Sequence, residues 1–226
     1  MTARTKNITR KGAGRHAVSD KKDWGTPRPY VDAVKQVFNG KIDLDPCSNR
    51  YSVVNALTEY RLPQVDGLKA SWKFRTIFVN PPYGNDKEAG TTIKNWLAKC
   101  VHAHEDFESE VLALVPVAVN TAHWKQHVFT KARAICFLYD TRLRFLENGE
   151  DAGLGAPMAC AMIYWGKNYN RFFDSFIGFG AVVDISHLIG QKIGRSNKSK
   201  VEILPDCNGF AQVSSRTGRR QLKHST

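Results

Sequence analysis

The 226-residue sequence predicts an α/β sandwich with a mostly parallel central sheet. Three observations carry that expectation. Short apolar runs rich in β-branched residues recur along the chain, and stretches with helical spacing lie between several of them. The run Val111–Val115 is apolar at every position, as in a strand covered on both faces. A further run, Thr76–Val79, ends abruptly in Asn80-Pro81-Pro82-Tyr83. Neither proline has an N–H to donate, so the ladder must stop there in a stiff loop.

The elements follow in order. Residues 1–22 read as a flexible basic arm. Thr26-Pro27 reads as an N-cap followed by proline at the first helical position, and Tyr30, Val31, Val34, Val37 and Phe38 continue at helical spacing. Asn39-Gly40 ends that helix. Ile42–Asp45 is a short strand, with Asp43 and Asp45 on one side and Ile42 and Leu44 on the other. Residues 46–75 contain no long helix. Ile93, Trp96, Leu97, Cys100, Val101 and His104 fit one helical face, so 91–104 is amphipathic. A helix is expected over 121–131 and a strand over Ile135–Tyr139. Leu143–Leu146 reads as a short strand, and the acidic, glycine-rich Glu147–Gly155 as a mobile loop. Met158–Trp165 is a strand, Asn170–Ile177 an aromatic helix and Ala181–Ile185 a last strand. The chain reads as one domain over 23–187 between two basic segments, 1–22 and 188–226, the latter partly disordered.

Charge is distributed unevenly. The formal net charge is +12. Residues 1–22 hold seven Lys/Arg against one acid, and 188–226 hold eight against two, whereas 23–187 hold eighteen of each sign. All the excess positive charge therefore sits in the two terminal segments. Lysine and arginine that neutralise phosphates release counterions, which gives affinity for nucleic acid without sequence information; solubilising tails are the plainer alternative. No apolar run approaches bilayer length and no signal-peptide stretch opens the chain. The five cysteines form no Cys-x-x-Cys pair and read as reduced thiols of a cytoplasmic protein.

The chemistry concentrates at Asn80-Pro81-Pro82-Tyr83. An exocyclic amine on a base is a poor nucleophile, because its lone pair is delocalised into the ring. The Asn80 side-chain oxygen and a proline carbonyl can each accept one of its N–H groups and aim the lone pair, which is catalysis by positioning. Tyr83 offers a ring on which a base drawn out of a duplex can stack. The alternative is a proline-terminated strand and a surface turn. In open α/β sheets ligands bind beyond the carboxyl ends of strands, where Asp45 and Asn80 both fall. Arg142 and Arg144 alternate before Phe145 and can grip phosphate or a base edge. His123 and His127 share a helical face, but no third ligand accompanies them, so no metal is expected.

The pieces occur in a telling order: Trp24-Gly25-Thr26-Pro27, Ile42-Asp43-Leu44-Asp45-Pro46, Asp66-Gly67-Leu68, Trp72, Asn80-Pro81-Pro82-Tyr83, Leu114-Val115-Pro116 and Arg142-Leu143-Arg144-Phe145. From Trp24 to Trp165 the succession resembles the compact phage-type DNA N6-adenine methyltransferase family. The resemblance implies a Rossmann-like class I methyltransferase sandwich. It implies S-adenosylmethionine as cofactor, double-stranded DNA as partner and transfer to the amine of a flipped adenine. It implies catalytic roles for Asn80, Pro81, Pro82 and Tyr83, and cofactor contacts from Thr26, Pro27, Asp45, Pro46 and Asp66, with Asp43 an alternative to Asp45. DNA contact falls to Arg142 and Arg144. The chain departs from the wider pattern in one place: Asp45-Pro46 is followed by Cys47-Ser48-Asn49-Arg50, with no Gly-x-Gly. The same motif also serves RNA adenine, cytosine N4 and glutamine amides, and a decayed, DNA-binding relative is the non-enzymatic alternative. A monomer in the cytoplasm of a bacterium or phage-infected host is expected.

Overall fold

The computed structural model describes residues 24–83, 91–139, 143–151, 153, 155, 156 and 158–193. They fall in one compact unit that ends at Ile193. The elements run β1 (Trp24–Gly25), α1 (Arg28–Val37), β2 (Leu44–Asp45), β3 (Thr58–Glu59), β4 (Thr76–Val79), α2 (Ile93–Phe107) and β5 (Glu110–Pro116). Then follow α3 (Ala122–Trp124), continued by a π-helical turn at Lys125–Phe129, β6 (Ala134–Leu138), β7 (Leu146–Glu147), β8 (Glu150–Asp151), β9 (Cys160–Trp165), α4 (Tyr169–Phe176) and β10 (Gly180–Asp184), with a 3₁₀ turn at Ser186–Leu188.

Seven strands form one sheet in the order β3-β2-β4-β5-β9-β6-β10. The pairs β2–β3, β2–β4 and β4–β5 are parallel, and β5–β9, β6–β9 and β6–β10 are antiparallel. Five strands therefore point one way, with β9 and β10 reversed. The sheet is mixed in its pairing, with the parallel half holding Asp45 and Asn80.

Side chains alternate across the sheet and build two cores. Phe78, Leu112, Leu114, Cys136, Met162 and Tyr164 face α1 and α4, together with Val34, Phe172 and Phe176. Ile77, Val79, Val111, Ala113, Ile135 and Ile163 face the other layer, with Leu97 and Cys100 of α2 and Trp124 and Val128 beside α3. Fully burying such a side chain contributes about 1.5–3 kcal/mol over leaving it exposed. A ten-residue helix like α1 is marginal by itself; its buried face, Tyr30, Val31, Ala33, Val34 and Val37, fixes it on the sheet.

Two expectations are corrected. Helix α1 is capped by Pro27, not Thr26, and no side chain caps it. Proline satisfies the start because the first helical N–H groups have no intrahelical partner anyway. The Glu147–Gly155 stretch is not wholly a loop: β7 and β8 form an antiparallel hairpin, Leu146 opposite Asp151 and Glu147 opposite Glu150. Its turn is Asn148-Gly149, with φ of 54° and 85°. Both central residues have positive φ, as a tight hairpin turn with the right twist requires. Strand β1 adds to β7 to complete a small three-stranded sheet.

The basic segment 1–22, residues 194–226 of the C-terminal one, Arg142 and Cys207 lie outside the described residues. Among the described residues no helix is long and apolar enough to cross a membrane. Cys47, Cys100, Cys136 and Cys160 are free thiols.

Candidate active site

Asp45 and Asn80 follow from adjacent parallel strands. Leu44 of β2 sits opposite Ile77 of β4, so both chains deliver their next polar residue to the same edge of the sheet. The Cys47 thiol lies against the main chain of Asn80 and beside the Asp45 carboxyl, which ties the two loops together. Asp45 is 4% exposed. Its Oδ1 accepts the Cys47 N–H at 2.9 Å, an Asx turn. In the next turn Asn49 Oδ1 accepts the Tyr51 N–H at 2.8 Å. The loop that lacks glycines is thus shaped by carboxylate and amide side chains.

Burial raises the Asp45 carboxyl to about 7, and the nearby Glu59 adds to it. The Cys47 N–H, Arg61 and Ser52 oppose that shift without cancelling it. A carboxyl so placed would gain from a cation.

Asp66 reaches the same region through its turn. Its Oδ1 accepts the Leu68 N–H at 2.9 Å, and its Oδ2 lies 3.3 Å from Lys69 Nζ. Trp72 Nε1 donates to the Gly67 carbonyl at 2.8 Å. Lys99 donates to the carbonyls of Leu68 and Ala70. Gly67 packs so closely on the loop after β2 that a Cβ there would fall 1.9 Å from the Pro46 carbonyl oxygen. Only glycine allows Asp45-Pro46 and Asp66-Gly67 to abut.

Asp43 is not brought to this end of the sheet. Its Oδ2 accepts the Thr76 N–H at 3.1 Å, at the opposite end of β4. It lines a separate cleft of about 710 Å³ with Arg75, Glu110 and Arg133. Thr26 is 2% exposed and its hydroxyl has no hydrogen-bond partner among the described residues. Pro27 lines a cleft of about 960 Å³ with Arg28, Tyr30, Arg144, Leu146 and Asp151. Arg144 lies on that side with its side chain largely in solvent, 3.8 Å from Asp151.

Asn80 Nδ2 donates to the Trp24 carbonyl at 3.1 Å. Pro81 is buried and Pro82 exposed. The Tyr83 hydroxyl donates to the Leu114 carbonyl at 3.1 Å. Its ring stands edge-on to Phe145, at 5.6 Å and 75°, and to Trp24, at 6.4 Å and 86°. Trp24 and Phe145 stack at 5.0 Å and 11°. The expected free face of Tyr83 is therefore one wall of an aromatic cluster. Burial, then the Cys160 thiol, holds the Tyr83 phenol protonated, well above its ordinary range. Sequence reasoning assigned no role to Trp24 or Phe145. Each stands beside a residue it did single out, yet 121 positions separate them, and nothing local signals their stacking.

A profile of the DNA N-6-adenine-methyltransferase (Dam) family matches residues 14–191. The chain belongs to the DNA N-6-adenine-methyltransferase family. The DNA N-6-adenine-methyltransferase of Haemophilus phage HP1 (strain HP1c1) is 28% identical over 132 residues, which cover 58% of this chain and 69% of the phage protein. No solved structure matches. Within this family member, the span matched by the profile takes in Trp24, Thr26, Asp45, Asp66, Asn80, Tyr83, Arg144 and Phe145. Among its described residues, no group of three or more His, Cys, Asp or Glu side chains could hold a metal ion.

Proposed function

We propose that this protein methylates the exocyclic N6 amine of adenine in DNA, with S-adenosylmethionine as the methyl donor. One observation supports this reading above the others: Asn80-Pro81 emerges from β4 beside the buried Asp45 of the neighbouring parallel strand. A polar acceptor pair and a cation-seeking carboxyl then lie at one end of the sheet.

The residues present suit the cofactor. Thr26 carries a buried hydroxyl without a partner among the described residues. Asp45 is a buried carboxyl whose charge is not fully compensated, and Gly67 keeps the Pro46 and Asp66 loops in contact. Thr26, Pro27, Asp45, Pro46 and Asp66 would hold S-adenosylmethionine. When bound, it supplies a methyl group on a sulfonium, a leaving group that needs no metal to activate it.

The protein's own part is to position the amine. The Asn80 Oδ1 and the Pro81 carbonyl accept the two N–H groups of N6. Electron density then returns from the ring to nitrogen, and the lone pair is aimed across the crevice toward the Asp45 side. The Tyr83 ring, buttressed by Phe145 and Trp24, supplies aromatic surface for an adenine that has left the duplex. Arg144 and Arg142, with the basic segments 1–22 and 188–226, contact phosphates and hold the duplex near the crevice.

The test incubates the protein with S-adenosylmethionine carrying a labelled methyl group and, in parallel, double-stranded DNA, RNA and protein. Nucleoside mass spectrometry should find N6-methyladenine in DNA. Label in RNA, at cytosine N4 or in protein, with none at DNA adenine, would overturn the assignment.

A further inference from the structure

We infer that the main-chain carbonyl of Trp24 is the group that orients Asn80 for transfer, and that the β1–β7–β8 sheet holds that carbonyl in place. The inference rests on the reading of Asn80 given above and adds the device that makes its side chain usable.

A carboxamide has a donor end and an acceptor end, and only the acceptor end can take a proton of the adenine amine. In Asn80 the choice is made by its partner. The Trp24 carbonyl, 3.1 Å from Nδ2, has no proton to give. The NH₂ must therefore face it, which leaves Oδ1 turned away from it and free to accept. A half-turn of the amide would set two acceptor oxygens against each other. That wrong orientation loses one hydrogen bond and gains a repulsion.

The carbonyl is useful only if it is fixed, and several contacts fix it. Trp24 pairs with Glu147 and Gly25 with Leu146 across β1 and β7. A Cβ on Gly25 would sit 3.2 Å from the Leu146 Cβ, so the two strands are in close approach. The Trp24 ring stacks on Phe145 and meets the Tyr83 edge. The hairpin turn at Asn148-Gly149 closes the sheet behind β7. Trp24 is thus a positioning residue: its backbone acts on Asn80, and its ring anchors the backbone.

The experiment compares Trp24→Phe with Trp24→Ala and measures three quantities on each. These are kcat at saturating substrates, the S-adenosylmethionine dissociation constant by calorimetry, and the fluorescence rise of 2-aminopurine at the target position of bound DNA. Trp24→Phe keeps a ring for the stack and should hold kcat within about threefold. Trp24→Ala should lower kcat roughly 100-fold, the scale of a small misplacement of a reacting group. Cofactor affinity and the 2-aminopurine signal should stay near wild type, and in an Asn80→Ala background the Trp24→Ala change should cost nothing more. Phe145→Leu loosens the same stack from the other side and serves if Trp24→Ala does not fold. The inference is overturned if both alanine and leucine variants keep kcat within about threefold. It is also overturned if the 2-aminopurine signal is lost, since the ring then touches the base itself, or if cofactor affinity falls in step with kcat. Retained transfer in Asn80→Ala alone would sink the reading of the motif. An inactive Asn80→Ala beside an active Trp24→Ala would sink only the present inference.

Discussion

Replacing Asp45 by asparagine separates what the carboxyl costs the fold from what it gives the site. Asn is nearly the same shape and its Oδ1 can still accept the Cys47 N–H that Asp45 takes at 2.9 Å. What disappears is the titration. The folded protein holds this carboxyl at about 7 against an ordinary 3.8, burial being the largest cause and Glu59 a further one. The folded value is the raised one. The stability this group contributes is therefore complete below the unfolded value and is lost as pH climbs through the folded value. Between those limits the unfolded chain has released a proton that the folded chain still binds, so stability falls at up to about 1.36 kcal/mol per pH unit. From pH 5 to pH 8 the loss is about 3 kcal/mol, since only the interval up to about 7 counts.

Urea unfolding of the cofactor-free protein, at pH steps from 5 to 8, checks this. Other groups contribute equally to both proteins and cancel in the difference. Asp45→Asn should gain about 3 kcal/mol relative to wild type between those pH values. Calorimetry on the same pair tests the second half. In wild type the affinity for the cationic cofactor should rise with pH and level off above about 7. In Asp45→Asn it should be weaker and nearly flat. Parallel unfolding curves would refute the reasoning about burial. Equal cofactor affinity with divergent unfolding curves would leave the buried carboxyl but remove it from the binding site.

Three further outcomes are expected. Asn80→Ala removes the acceptor and the donation to Trp24, so transfer in a labelled-methyl assay should fall roughly 100-fold or more, with cofactor binding retained by calorimetry. Tyr83→Phe deletes the hydroxyl's hydrogen bond to the Leu114 carbonyl and its contact with the Cys160 thiol; it should cost about 1 kcal/mol of stability in urea and keep most of the activity, and an inactive variant would move the role from ring to hydroxyl. Removing residues 1–22 and 212–226 should weaken DNA binding and lower the log–log salt slope by about 0.9 for each phosphate no longer neutralised, while cofactor affinity holds; an unchanged slope would make the terminal charge incidental.

The parts of this site that were legible in the sequence are those written in consecutive residues. Thr76–Val79 is buried at all four positions and ends at Asn80 as its composition requires. The helix expected over 91–104 runs Ile93–Phe107, opened by Thr92 and Asn95, which satisfy each other's backbone N–H groups. Asp45 could be placed at a strand end because the alternation of Ile42 to Asp45 is short and clean. Its rival Asp43 could not be dismissed, because nothing in a sequence says that Thr76 will cross from 33 residues away to occupy that carboxylate. The hairpin was missed for a different reason. Its strands are two residues long and partly acidic, so composition read as a loop; the dipeptide Asn148-Gly149 carried the signal, and only its positive φ angles make it decisive.

That hairpin changes how the active centre is understood. An asparagine at the mouth of a proline loop, proposed here to hold the adenine amine, has little in its own sequence to define its amide. The definition comes from Trp24, 56 residues upstream, and Trp24 is defined by Phe145 and Leu146 from the far side of the chain. Opposite it, Gly67 and Pro46 press two loops together around Asp45. Each wall of the crevice is thus fixed by an approach between segments distant in sequence. One wall offers an acceptor aimed by a carbonyl, the other a buried carboxyl that would gain from a cation. On the proposed reading, the neutral adenine amine meets the first wall and the cationic methyl donor the second.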